Sequence, residues 1–82
     1  MYWLDLAIMG YKNFQSFGEF DSLEAVQRYV DTTFKQNERF EQSNLEEYLN
    51  NSTIKAAGNG TSWRFATFFE NDVMYSLGIR KV

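Results

Sequence analysis

The side chains that most often perform catalysis are missing from this chain of 82 residues, which contains neither histidine nor cysteine. Histidine is the commonest general base, the cysteine thiolate is a strong nucleophile, and both bind structural zinc. Among the remaining carboxylates, Glu46 and Glu47 are adjacent on a predicted helix and therefore face different directions. Glu70 and Asp72 fall in a predicted turn, where acids commonly cap or solvate. We therefore predict a protein without enzymatic activity, metal or other cofactor.

Recognition is the chemistry that the composition favours. The chain holds two Trp, five Tyr and eight Phe residues, together with three Met. Aromatic residues, Met and Arg are the types enriched at protein interfaces. The strand periodicity described below selects five of them as predicted partner-binding residues: Trp3, Arg64, Phe68, Met74 and Arg80.

Three segments must position these residues. Residues 61–82 predict a β-hairpin, because dense aromatic and β-branched runs flank a polar turn at Glu70-Asn71-Asp72. Residues 2–9 alternate in hydrophobicity and predict a further strand. Residues 11–20 place an aromatic at every third position, a spacing that fits neither the period of two of a strand nor the period of about 3.6 of a helix. We interpret them as a short strand or an ordered loop whose aromatics pack as a lid on the core.

Two helices are predicted between the strands. Asp21 is the expected N-cap of an amphipathic helix of about four turns that ends near Gln36. Ser43 is the expected cap of a second, short helix. Phe40, between the two helices, is expected to anchor their connection, and residues 53–60 are predicted to form a loop.

The predicted fold is a single α+β domain spanning residues 1–82. Its sheet is mainly antiparallel with three to four strands, two helices pack on one face, and the order is β-(β)-α-α-β-β. A period of two divides the strand residues between two faces. The side chains expected under the helices are Leu4, Leu6, Ile8, Trp63, Phe65, Thr67, Phe69, Val73, Tyr75, Leu77 and Ile79.

The other side of the sheet, which we call the open face, is the predicted interaction surface. Small residues are expected at its centre, where they allow another chain to approach closely. A competing interpretation is that residues 11–20 fold across this face and make it part of the core. The side chains predicted to form the open face are Trp3, Asp5, Ala7, Met9, Arg64, Ala66, Phe68, Met74, Ser76, Gly78 and Arg80.

The sequence therefore predicts a binding module that acts stoichiometrically on a protein partner, as an inhibitor or regulator. A homodimer through the same face is the rival arrangement. A second class is an acidic inhibitor that mimics a nucleic-acid backbone, by analogy of size and charge with small phage and mobile-element proteins such as some anti-CRISPR proteins. Its acidic patch would comprise Glu38, Glu41, Glu46 and Glu47.

A third class is a single-stranded nucleic-acid binder that stacks bases on Trp3 and Phe68 beside Arg64 and Arg80. The net charge of −3 argues against it, since phosphate binding needs clustered basic residues. No segment approaches the roughly 20 apolar residues that span a bilayer, and the N-terminal segment lacks the features of a signal peptide. We therefore expect a cytoplasmic protein that does not enter the membrane.

Overall fold

The structure, a computed structural model, describes residues 1–8, 14–49 and 63–81. These residues form two helices and a five-stranded sheet in which every neighbouring pair is antiparallel. The elements are β1 (Tyr2–Ile8), β2 (Phe14–Phe20), α1 (Leu23–Thr33), β3 (Glu38–Gln42), α2 (Leu45–Leu49), β4 (Trp63–Glu70) and β5 (Val73–Lys81).

The predicted α+β class is confirmed, but the predicted number of strands is too low. The strand order is β2-β1-β5-β4-β3, so β5 lies in the middle and β3 forms one edge. Strand β3 occupies the segment around Phe40 that was predicted to be only a connection. Its sequence gave no strand signal because Phe40 is its only apolar residue and charged residues surround it. Charged side chains are typical of edge strands, where they discourage pairing with other chains.

The predicted hairpin of β4 and β5 is confirmed. Its two turn residues, Asn71 and Asp72, have φ angles of 52° and 64°. A two-residue turn with both φ angles positive is a type I′ turn, whose twist matches that of the flanking strands. Asn and Asp tolerate this left-handed conformation better than other residues with a side chain.

Residues 14–20 form the edge strand β2, paired with β1, and do not lie across the open face. Phe17 and Phe20 pack instead against Tyr29 of α1, with ring centroids 5.7 and 5.5 Å apart. The prediction of a short strand whose aromatics pack on the core is therefore confirmed for residues 14–20, whereas the competing interpretation, that this segment folds across the open face, is wrong. Residues 11–13 lie outside the described residues. The register shifts within β2, and Gly18 in the shifted part has a φ angle of +87°. Glycine adopts this conformation readily.

Both helices begin one residue later than predicted. The Ser22 side chain accepts a hydrogen bond from the backbone N–H of Ala25 at 3.1 Å, so Ser22 rather than Asp21 caps α1. Asn44 caps α2 by accepting from the N–H of Glu47 at 2.9 Å. Ser43, the expected cap, precedes Asn44 and still belongs to the end of β3, since its N–H donates to the carbonyl of Phe65 and continues the pairing of β3 with β4.

The hydrophobic core lies between the helices and one face of the sheet. Helix α1 contributes Val26 and Val30, and α2 contributes Leu45. Burying a side chain of this size stabilises the fold by about 1.5–3 kcal/mol. No helix in the described ranges has the length and apolar character needed to cross a membrane. The remaining core residues are Leu4, Phe34, Phe65, Ala66, Phe68, Leu77 and Ile79.

Candidate functional site

A β-bulge in β4 decides which of its side chains reach the open face. Arg64 pairs with Gly78, but the next pair in the ladder joins Ala66 to Leu77, so Phe65 is an extra residue in β4. Because side chains alternate along a strand, one inserted residue exchanges the two faces from that point on. The face assignment predicted for the second half of β4 is therefore inverted.

Phe68 was predicted to bind a partner on the open face, but the inversion places it on the core face. It faces the helices, is 1% exposed, and stacks on Tyr75 with ring centroids 5.3 Å apart. Phe34, at the end of α1, covers it at the same centroid distance. Ala66 moves to the core with it. The open-face positions belong instead to Thr67 and Phe69, which were predicted to be core residues.

A second bulge shapes the edge strand β3. Glu38 pairs with Phe69, and Glu41 pairs with Thr67, with a register shift between the two glutamates. Residues three apart on a regular strand face opposite sides, and the shift places both glutamates on the open face. Arg39 lies in the bulge with a φ angle of 56°. Its guanidinium carbon is 5.1 Å from the centroid of the Phe69 ring.

Trp3 and Arg80 are paired at the other end of the open face. Both were predicted to lie on this face. Arg80 Nε donates to Asp5 Oδ2 at 2.8 Å, and Nη2 donates to Oδ1 at 3.3 Å. The same guanidinium lies 5.4 Å from the Trp3 ring centroid, within range of a cation–π contact. Asp5 is 3% exposed, and the side chain of Arg80 is 26% exposed. The pair therefore neutralises a buried carboxylate and also presents part of a guanidinium to solvent.

The centre of the open face is not an accessible surface. Asp5 and Ser76 are buried, with 3% and 7% exposure, and Gly78 is buried beside them. The prediction that small central residues admit a partner is therefore wrong. Accessible side chains lie towards the β3 edge, where Arg64 and Arg39 are exposed and Met74 and Phe69 are half-buried.

We call this accessible region the β3-side surface. It includes a shallow groove of about 320 Å³ between the end of β3 and the bulge of β4, lined by Glu41, Ser43, Arg64 and Thr67 among others. Gln42, Phe65 and Ala66 also line the groove, so its lining is both polar and apolar. The residues that make up the β3-side surface are Glu38, Arg39, Glu41, Ser43, Arg64, Thr67, Phe69 and Met74.

The four glutamates of the predicted acidic patch are all exposed but do not form one surface. Glu38 and Glu41 belong to the open face, on the edge strand. Glu46 and Glu47 belong to α2, whose Leu45 is buried in the core on the opposite side of the sheet. The sheet therefore separates the patch into two pairs.

Phe69 and Arg39 are the accessible residues of this surface that the sequence pattern missed. Phe68 and Phe69 are adjacent, so only one of them can face the core. The sequence offers no signal for a bulge that would choose between them. Arg39 was missed because β3 itself was not predicted.

The described residues contain no group of three or more His, Cys, Asp or Glu side chains arranged to hold a metal ion. Every buried side-chain nitrogen or oxygen of these residues has a hydrogen-bond partner. No protein-family model matches the chain, and no curated protein or solved structure matches it. The candidate site offered by the described residues is the open face, and above all its β3-side surface.

Proposed function

We propose that this protein is a non-enzymatic binding module that acts stoichiometrically on a protein partner, as an inhibitor or regulator, through the open face of its sheet. One observation carries the proposal. The helices bury the apolar core on one side of the sheet, whereas the other side presents aromatic, Met and Arg side chains that the core does not use. These are the side chains that dominate binding energy at protein interfaces.

The β3-side surface is the main contact in this proposal. Phe69 and Met74 are directly paired neighbours and form an apolar centre. Arg39 is exposed over the Phe69 ring, and Arg64 is exposed further along β4. A half-buried aromatic ring can be fully desolvated by a partner without disturbing the fold. The polar residues that line the groove, Glu41, Ser43 and Thr67 among them, then supply a rim, as protein interfaces require around their apolar centre.

Trp3 and Arg80 provide a second contact within reach of the same partner. Arg80 lies six positions after Met74 along β5, which corresponds to about 20 Å in an extended strand. A typical interface buries about 800 Å² on each protein, a patch of roughly 30 Å across. One partner of ordinary size can therefore cover both ends of the open face.

The charges on the β3-side surface favour specificity over bulk attraction. Glu38 and Glu41 balance Arg39 and Arg64. An alternating pattern admits a partner with the complementary arrangement and penalises others. It offers little to a phosphate backbone, which rewards uniform positive charge. The Trp3 and Phe69 rings, which a base would use for stacking, already contact arginines of the chain itself.

The test begins with a photo-crosslinking residue at position 69, used to capture the partner in the source cell and identify it. The purified partner is then titrated with the unmodified protein by calorimetry. Arg64→Glu combined with Phe69→Ala should weaken binding at least 100-fold while the protein retains cooperative unfolding. Arg28→Glu, on the exposed side of α1, is the matched charge-reversal control and should bind normally.

Four outcomes would contradict the proposal. The double variant could bind the purified partner as tightly as the wild-type protein, or binding could depend on Arg28. Alternatively, the captured molecule could be an oligonucleotide, or a second copy of the chain with no other protein bound.

A further inference from the structure

Arg39 has a backbone conformation that its residue type disfavours. Three described residues other than glycine have a positive φ angle: Arg39, Asn71 and Asp72. The last two are turn residues of the types that best tolerate the left-handed region. Arginine has no such preference, and a residue held in this region carries strain that persists only where the surroundings impose it. Such strain is concentrated at binding and catalytic sites.

The side chain of Arg39 is held in place, but the hydrogen-bond donors of its guanidinium are not used within the described residues. Its guanidinium lies over the Phe69 ring, and within the described part of the chain it makes no hydrogen bond or ion pair. Arg80 differs, since two of its N–H groups donate to Asp5. Arg39 therefore presents all five N–H donors of its fork at an exposed position, held in orientation by an aromatic ring.

We propose that Arg39 recognises a side-chain carboxylate, from Asp or Glu, on the protein partner, and that the strained bulge is retained because it places this guanidinium over Phe69. The inference rests on the proposed function and names the chemistry of its central contact. A guanidinium binds a carboxylate through two parallel hydrogen bonds, and stacking on a ring leaves its donor edges free to do so. Fixing the side chain before binding reduces the entropy lost on association.

The neighbouring charges make this contact selective. Glu38 and Glu41 lie on the same face as Arg39, and they repel a carboxylate that approaches anywhere but over the guanidinium. Since the bulge also brings both glutamates to this face, one backbone irregularity creates the binding group and its selectivity.

The binding test uses a random dodecapeptide library displayed on phage, selected on the wild-type protein and counter-selected on Arg39→Gly. We expect enrichment of Asp and Glu. Synthetic copies of the selected peptides should bind Arg39→Gly at least tenfold more weakly. Arg39→Lys, which keeps the charge but loses the planar fork, should also weaken binding several-fold. Enrichment of Lys and Arg, or a failure to select peptides that depend on Arg39, would overturn the inference.

A stability measurement separates a binding role from a structural one. Glycine relieves the strain at a positive φ angle, so Arg39→Gly should leave the melting temperature unchanged or raise it by up to about 8 °C. Asp72→Gly, which relieves the same backbone conformation in the hairpin turn, should behave similarly and retain peptide binding. A fall of more than about 4 °C for Arg39→Gly would mean that Arg39 is held for stability, and the inference would be wrong.

The two proposals fail in different ways. If selected peptides ignore Arg39 but Arg64→Glu with Phe69→Ala still abolishes binding of the natural partner, the carboxylate contact is wrong and the proposed function stands. If the natural partner binds the double variant normally, the proposed function is wrong whatever the peptides show.

Discussion

Asp5 is a carboxylate that the fold buries almost completely, at 3% exposure. An ionised group in such a position destabilises a protein unless a counter-ion and hydrogen bonds compensate for the lost water. Arg80 supplies both through two hydrogen bonds, and Trp3 lies on the same guanidinium. Because β1 and β5 are adjacent in the sheet, residues 75 positions apart in the chain become partners.

We predict that Asp5→Asn lowers the free energy of unfolding by about 1–3 kcal/mol, because Arg80 loses its counter-ion while the site keeps its shape. The measurement is a urea unfolding curve. Asp31→Asn is the matched control, since Asp31 faces Lys35 at 3.9 Å on the exposed side of α1. That change should cost less than about 0.5 kcal/mol. Equal effects of the two substitutions would show that the Asp5–Arg80 pair adds no stability beyond that of a surface pair.

At the scale of elements, bulges control which residues each strand presents. Register shifts occur between β1 and β2, between β3 and β4, and between β4 and β5. Each shift moves the following side chains to the other face of the sheet. The β3–β4 shift brings Glu38 and Glu41 to one side, and the shift after Arg64 turns Phe68 inward and Phe69 outward.

Adjacent phenylalanines in β4 test this arrangement directly. Phe68→Ala should lower the free energy of unfolding by about 3–5 kcal/mol, because it leaves a cavity between Phe34 and Tyr75. Phe69→Ala should cost less than about 1 kcal/mol, since its ring is already partly exposed to solvent. Chemical denaturation of the two variants measures both losses of unfolding free energy. A larger loss at position 69 would mean that β4 lacks the bulge.

At the scale of the whole molecule, the first and last strands lie together inside the sheet. Strands β1 and β5 pair along their length, and β5 is also paired with β4. The edges are β2 and β3, which are interrupted by bulges. The centre of the sheet therefore depends on contacts between the two ends of the chain, while the proposed binding surface lies beside an edge.

We predict that amide hydrogen exchange follows this arrangement. Amides of Leu77 and Ile79 in β5 should exchange only through global unfolding, because β5 has a partner on both sides and a buried face. Amides of β3 should exchange at least tenfold faster. Exchange measured by nuclear magnetic resonance at neutral pH provides the rates. Equal protection of Phe40 and Leu77 would contradict this distribution of stability.

Local patterns determined several features of this protein without further information. Residues 2–9 alternate clearly enough to predict a strand, the polar turn at 70–72 predicts a hairpin, and the stripe containing Val26 and Val30 predicts a helix. The α+β class follows from these elements. Trp3, Met74 and Arg80 were assigned to the correct face because the period of two is unbroken through β1 and β5.

Tertiary structure decided the rest. Strand β3 exists because β4 offers it a partner and because Gln42 exchanges two amide hydrogen bonds, of 3.0 and 2.6 Å, with Gln27 of α1. The bulge in β4 places Phe68 rather than Phe69 beneath Phe34. Phe34 is more than 30 positions away in the chain, so the choice between the two rings depends on tertiary packing. A hydrophobic period depends only on residues close together in the chain, whereas packing across the sheet determines the position of a bulge. The candidate site therefore emerged from the fold rather than from the sequence pattern.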